Sequence, residues 1–531
     1  LIEPEPLISE VAAFQGRTMF KNIIAYTKEL FSSSKTKKEP EHYVKTPRII
    51  GRDEHGIDRR LVSLEAIRTV RNLQRAGYEA YVVGGAVRDL LLGVTPKDFD
   101  VVTDATPEQV KRCQKRAIII GKRFRLVHVM FGREKIECST FRALEGAGVR
   151  KDKFGRVISD NVFGEMWEDA ARRDFTINAL YYNPTTEELI DYHNGMRDIL
   201  DGVVRMIGDP EDRYREDPVR MLRAVRIASK LQFKIDEATL EPISRLAPLL
   251  ANVPEARLFD EAVKLLTCGR AIDCTEKLRQ LGLYRNVIPL LEVALKEQKG
   301  ERFLMLAMKR TDERIAIGKK VSPSFLFATL LWPLTYRHFE ERISRGESQI
   351  QAMIEAGRYV LDKQCEKLAI QKRFVEDILT IWVLQIKLLR RGTKSAMGLL
   401  NIPKFRAGYD FMLLRSQLEY VDPAIVNWWT KFQEVDEATR LEMIREQAAA
   451  NAQARKPRKG EPKRPSKAQI KKQLLLEADS WQLVRDLSGT AGSDGMIDLI
   501  DDEELSQNTK APRPKRRRRP AIRRKKIQIE D

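Results

Sequence analysis

The sequence is poor in the residues that staple or anchor extracellular and membrane folds. Five cysteines occur in 531 residues, at positions 113, 138, 268, 274 and 365, with no CxxC pair among them. Neither a disulfide framework nor a structural zinc site is therefore expected. Histidine also occurs five times, and never in a metal-ligand spacing. No apolar run approaches the ~18 residues that a membrane span needs. The longest, Phe325–Leu334, contains Pro333 and reads as a buried helix. Glu3, Glu5 and Glu10 stand where a signal peptide carries positive charge. The cytosol is the expected compartment.

Basic charge is abundant: 95 Lys and Arg against 76 Asp and Glu, a net charge of +19. Such an excess points to a polyanionic partner, nucleic acid or an anionic membrane surface. Its placement says more than its size. Residues 455–472 and 511–531 carry +8 each, which leaves +3 on the other 492 residues. Capture of a polyanion is thus expected of the C-terminal fifth, and other chemistry of the nearly neutral remainder.

Pattern divides the chain further. Residues 32–48 read as a linker within an N-terminal extension (1–61). Leu64, Ile67, Val70, Leu73 and Ala76 recur at helical spacing. Strand-like and helix-like pieces then alternate: strands at Ala80–Val83, Phe99–Val102, Ile118–Gly121, Phe124–Phe131 and Lys135–Phe141, with helices at Ala86–Leu92 and Pro107–Gln114. The irregular order predicts a small mixed sheet, not a doubly wound fold. Beyond about 190 the pattern is helical. Asp217 is an expected N-cap, followed by Pro218. The next helix puts Met221, Leu222, Val225 and Ala228 on one face and Arg220, Arg223 and Arg226 on the other. The expected fold class is α+β: a mixed-sheet head (62–190), a helical neck (191–275), a helical body (276–447) and a basic, mostly disordered tail (448–531). One helix, Ile470–Leu487, is expected within that tail.

Three segments suggest chemistry. In Tyr81–Asp89 (YVVGGAVRD) a strand runs into Gly84 and Gly85 and then into a helix, a turn that lets backbone approach a triphosphate, with Arg88 as an added contact. Alone it is more often an ordinary strand–turn–helix corner. In Asp98-Phe99-Asp100 two carboxylates share one face of a strand, an arrangement suited to Mg²⁺. Alone such a pair often caps a loop. Glu137 interrupts a core-forming strand, either as a solvent-facing edge residue or as a third metal ligand. Together they describe nucleotidyl transfer at two Mg²⁺ ions. His128 reads as a satisfied strand histidine, and Trp428 and Trp429 as core residues more than base-stacking platforms.

These motifs carry a resemblance. GGAVRD, KDFDVVT, Arg172–Tyr182 (RRDFTINALYY), Ile190–Gly202 and Arg205–Leu231 together resemble the class II nucleotidyltransferases of the polymerase β superfamily. That family comprises bacterial poly(A) polymerases and tRNA CCA-adding enzymes. The resemblance spans residues 55–435, and it implies a polymerase β-like head. Family members begin near Met19, which sets residues 1–18 outside the pattern. The resemblance implies catalytic roles for Asp98, Asp100, Glu137 and Asp174, with the first three holding Mg²⁺ (Mn²⁺ as an alternative ion). It implies nucleotide binding by Gly84, Gly85, Arg88, Arg173, Asp174, Asn178, Asp217 and Arg220, the last two reading the base edge in place of a template strand. For Asp217 and Arg220 the plain alternatives are a cap and a solvated face.

Ile119–Val129 (IIGKRFRLVHV), Glu54–Ile57 (EHGI) and the Arg-rich tail resemble the poly(A) branch. The implied activity is template-independent addition of AMP from ATP to RNA 3′ ends. CCA addition is the enzymatic alternative, and a non-catalytic RNA-binding protein the other. RNA contacts are expected at Lys122 and Arg123 and at Lys515, Arg516, Arg517, Arg518 and Arg519. The tail also offers a docking site for RNA-degradation or RNA-chaperone proteins.

Overall fold

In the computed structural model the described residues are 44–454, apart from 122–124, 133, 145–149, 152–156, 160–161, 297 and 392–394. Lys122, Arg123, Lys515–Arg519 and the tail helix expected at 470–487 lie outside them. Among the described residues, eight strands form the main sheet: β1 (Arg48–Ile50), β2 (Ala80–Val83), β3 (Asp100–Thr103), β4 (Ala117–Ile120), β5 (Leu126–Phe131), β6 (Glu134–Thr140), β7 (Leu180–Asn183) and β8 (Glu188–Asp191). Their order is β1-β8-β7-β2-β3-β6-β5-β4. β3 and β6 run parallel, whereas β2/β3 and β5/β6 are antiparallel, so the sheet is mixed as predicted.

The sheet starts earlier than a linker over 32–48 allows. Arg48–Ile50 pairs with β8, with Ile50 fully buried and Ile49 outward. Three residues are too few to show a period, and backbone pairing with β8 supplies what the pattern lacks. The EHGI segment follows this edge. His55 Nε2 lies 2.9 Å from the Glu187 carbonyl, and the Ile57 N–H donates to His55 Nδ1 at 3.0 Å.

Helix α1 (Leu64–Arg75) lies on the sheet through Ile67, Val70 and Leu73, all buried. The Ser63 hydroxyl caps it by accepting the Ala66 N–H at 3.0 Å. After β2 comes α2 (Gly85–Leu91), and α3 (Met166–Arg172) precedes β7. The helical region then includes α4 (Pro210–Glu216), α5 (Val219–Leu231), α6 (Glu255–Leu266), α7 (Ala271–Gln280), α8 (Pro323–Ser344), α9 (Lys372–Lys387), α10 (Phe405–Gln417), α11 (Pro423–Glu434) and α12 (Glu437–Ala454).

One continuous buried core, from Ile50 to Leu414, joins the sheet to the helices through α10, and a second cluster that includes Trp429, Phe432 and Ile444 holds α11 and α12. On α5 the predicted apolar face is realised: Met221, Leu222, Val225 and Ala228 are all at 0% exposure. Asp217 is displaced from its predicted cap. It ends α4, and α5 begins at Val219 after Pro218, although Asp217 Oδ1 still accepts the Val219 N–H at 3.3 Å. α8 carries the longest apolar run, and no described helix is long and apolar enough to cross a membrane. Trp429 is fully buried, with its indole N–H on the Leu388 carbonyl at 2.7 Å, and Trp428 stacks on Phe432, as core residues do.

Candidate active site

The register brings the first two predicted motifs and Glu137 to one end of three neighbouring strands. Asp100 opens β3. Its antiparallel partner is Val83, the residue before Gly84, and its parallel partner is Glu137. Gly84 has φ +76° and ψ −135°, a conformation that a Cβ would strain. Asp98 lies just before the strand, not on it. Phe99 nevertheless points into the core at 8% exposure, which leaves Asp98 and Asp100 both facing outward.

Although part of Asp100 reaches solvent, protein hems its carboxyl. That desolvation, followed by repulsion from Glu137 and Asp98, pushes its pKa up to about 6, against the pull of Arg173 and Lys135. Glu137 is held below the ordinary carboxylate range, chiefly by a 2.5 Å bond from Lys135, and His128 Nε2 stands 3.3 Å away. Among the described residues no three His, Cys, Asp or Glu side chains converge as a preformed ligand set. The donor chemistry still suits a hard cation: carboxylate oxygens, with Asp100 crowded by Glu137 and Asp98. Full ligation by Glu137 requires it to leave Lys135.

RRDFT contributes the floor of the site. Arg173 Nη2 donates to Asp169 at 2.9 Å, and its Nε to the Tyr181 hydroxyl at 3.1 Å. Its Nη1 lies 3.6 Å from where a Cβ on Gly84 would be, so the guanidinium and the glycine turn share one space. Asp174 is buried, and all its acceptor positions are filled. Oδ1 takes the Phe175 N–H at 2.9 Å and the Asn178 amide at 3.1 Å, and Oδ2 takes Nε and Nη2 of Arg223. Despite burial, Arg223 and these hydrogen bonds hold its pKa well below the usual carboxylate range. Asn178 Oδ1 accepts from Arg88 Nη1 at 2.6 Å, and Arg88 also grips Asp89. Arg88, expected to reach a phosphate, is 6% exposed and engaged by these two side chains.

A chain of polar contacts thus runs Asp89–Arg88–Asn178–Asp174–Arg223, from the glycine-turn helix α2 to α5. Sequence pattern places Arg223 only on the polar face of its helix and gives it no role. The three-residue step from Arg220 is the available signal. Asp217 and Arg220 do not meet each other. Asp217 receives both terminal nitrogens of Arg257, at 2.9 and 2.6 Å, while Arg220 bonds Glu216 at 2.6 Å.

The chain matches three family descriptions: "Poly A polymerase head domain" over residues 80–205, "Probable RNA and SrmB- binding site of polymerase A" over 232–295, and "Polymerase A arginine-rich C-terminus" over 345–465. It is 42% identical to poly(A) polymerase I of Escherichia coli O6:H1, an alignment covering 85% of this chain and 100% of that one. It is 31% identical to a CCA-adding enzyme of Bacillus licheniformis, over 68% of this chain and 94% of that one. Among solved structures, one described as "Structure of tRNA-processing enzyme complex 3" has the same fold, with a TM-score of 0.50 and 22% identity over 72% of this chain and 99% of that chain. The head, the helical regions and the basic C-terminal segment therefore agree with one assignment: the chain belongs to the poly(A) polymerase family.

Proposed function

We infer that the chain is a polynucleotide adenylyltransferase, which transfers AMP from ATP to RNA 3′ ends and releases pyrophosphate. One observation carries the reading at the site: Asp100 sits in register with Glu137 on one side and beside the Gly84 turn on the other. A phosphate-sized approach and the two carboxylates of Asp100 and Glu137 then share one strand end.

Mg²⁺ held by Asp98 and Asp100, with Glu137, would supply the Lewis acid that activates the attacking hydroxyl and steadies the leaving pyrophosphate. The chain's own residues do the remaining work. Gly84 and Gly85 let the triphosphate lie close to backbone, and Arg173 puts a fixed positive charge beside that turn. The Asp174–Asn178–Arg88 contacts hold the floor in place. A ribose hydroxyl reaching Asp174 would replace one of its present bonds. Asp217 and Arg220 are the proposed readers of the base edge, once released from Arg257 and Glu216. The domains at 62–190, 191–275 and 276–447 are proposed as transfer, selection and RNA-holding segments.

The test is choice of substrate. With an unstructured RNA primer and each nucleotide supplied alone, ATP is expected to extend the primer at least ~100-fold more efficiently than CTP, a difference of about 3 kcal/mol at the transition state. Incorporation of two C residues and then one A onto tRNA would instead establish CCA addition. Failure of every nucleotide would leave an RNA-binding protein.

The basic segments give a separate expectation. Removing residues 455–531 takes away two +8 clusters. The slope of log K against log[salt] for RNA binding should flatten, by about 0.7 for each phosphate no longer neutralised on single-stranded RNA. Short-primer extension should remain measurable. An unchanged slope would show that the clusters do not touch phosphate.

A further inference from the structure

Five free cysteines are scattered through the sequence, yet the fold brings two of them together. Cys268 follows α6, and Cys274 lies in the second turn of α7. Their sulfurs are 3.5 Å apart. Cys268 is partly exposed, whereas Cys274 is fully buried. Gly269 between them has φ +88°, so the turn already uses a conformation in which a glycine gives freedom.

The surroundings distinguish the two thiols. The contact with Cys274, the Arg270 N–H pointing at the same sulfur and Arg226 nearby hold the Cys268 thiol below its ordinary range, against burial and Asp312. Cys274 is pushed up, first by that same contact and then by burial. A partly exposed sulfur thus sits beside a buried one, the order needed for an attacking and a resolving cysteine.

The pair also backs onto the proposed nucleotide-selecting helix. Arg226 of α5 bonds Glu261 of α6 at 2.6 Å, and Ser229 of α5 is buried beside Cys274 and Asp273. Arg220 and Arg223 are carried one to two turns earlier on the same helix.

We propose that Cys268 and Cys274 are a redox-active dithiol, closed to a disulfide by a hydroperoxide and tightening the α6–α7 turn against α5. In the first step the Cys268 sulfur attacks a peroxide oxygen and the O–O bond breaks. The departing hydroxide takes the thiol proton as water and leaves Cys268 as a sulfenic acid. In the second, the Cys274 sulfur attacks the Cys268 sulfur and the S–O bond breaks. Hydroxide leaves with the Cys274 proton as a second water. Two thiols lose two electrons, and the peroxide gains them. Bond formation needs the sulfurs to close from 3.5 Å to about 2.05 Å, across a turn that carries Gly269.

The site can be read directly, because Arg270 separates the cysteines into two tryptic peptides, Leu265–Arg270 and Ala271–Lys277. The full chain is treated with hydrogen peroxide, alkylated and digested without reductant. A cross-linked pair of these peptides is expected, lost on dithiothreitol and absent from Cys268→Ser. In Cys274→Ser, Cys268 should stop at a dimedone-reactive sulfenic acid. Cys268 recovered singly alkylated, or joined to Cys113 or Cys365, would overturn the proposal. Its effect on α5 rests on the adenylyltransferase reading: the cross-linked form should show a KM for ATP raised about threefold, reversed by dithiothreitol and absent in Cys268→Ser. A fully cross-linked protein with unchanged KM would refute the coupling to α5. If the reduced protein adds no AMP at all, the adenylyltransferase reading fails, and the cross-linked peptide still decides the dithiol.

Discussion

Asp100→Asn should lower AMP addition by about a thousandfold or more, while RNA affinity changes by less than about twofold. The substitution is nearly isosteric, so β3 keeps its pairing with Val83 and Glu137. What it removes is the charge between Asp98 and Glu137 that a divalent cation would neutralise. A thousandfold loss corresponds to about 4 kcal/mol of transition-state stabilisation. RNA capture is proposed to rest on basic segments far along the chain, so an electrophoretic shift assay should barely respond. An Asp100→Asn protein retaining a tenth or more of its activity would remove Asp100 from the reaction.

The same substitution should not cost stability. The folded-state pKa of Asp100 is raised, from 3.8 to about 6. Between those values the folded state binds more protons than the unfolded state, so this group's contribution falls as pH rises through that window. Removing the charge should therefore stabilise the protein above pH 6 and do nothing below about pH 4. Exposure of the side chain screens the effect to about 1 kcal/mol or less. A melting temperature that rises slightly while activity vanishes is the mark of a site built for charge, not for stability.

Sequence pattern revealed the head's strands because their apolar residues alternate around turn signals. Ala80–Val83 and Asp100–Thr103 were legible this way within a residue or two. β1 was not, since Arg48–Ile50 is held by its partner strand instead of its own period. Asp98, Asp100 and Glu137 could be proposed together because each carboxylate borders or interrupts an apolar strand pattern and because the surrounding motifs carry the resemblance. What pattern could not supply was pairing. Nothing in the order of residues says that Glu137 bonds Lys135, that Arg257 from α6 grips Asp217, or that Asp174 is already saturated. Each joins residues brought close by packing, and there an arginine's partner is set by tertiary geometry.

Arg223→Met should cost about 3 kcal/mol of stability at pH 7, the size expected when one partner of a buried ion pair is lost. Asp174 is 9% exposed, and Arg223 supplies two of its four donors. Methionine preserves length and packing but leaves the carboxylate with only the Phe175 N–H and Asn178. Urea unfolding should show a lower midpoint with an unchanged m-value. The pH dependence identifies the cause. The depressed pKa of Asp174 gives stability that is fully present above the unfolded value of 3.8 and is lost as pH falls through the folded one. Without Arg223 that depression largely disappears, so the penalty should be greatest near neutrality and shrink as both proteins approach the acid range. Asp174→Asn in the Arg223→Met background should recover more than about half of the lost stability, because it removes the orphaned charge. Activity should not recover with it. The contacts from Asp174 through Asn178 to Arg88 also tie α5 to the glycine turn, and an amide cannot restore a bond to a missing guanidinium. A penalty that is flat in pH, or a double variant no more stable than Arg223→Met, would mean that Arg223 matters for packing alone.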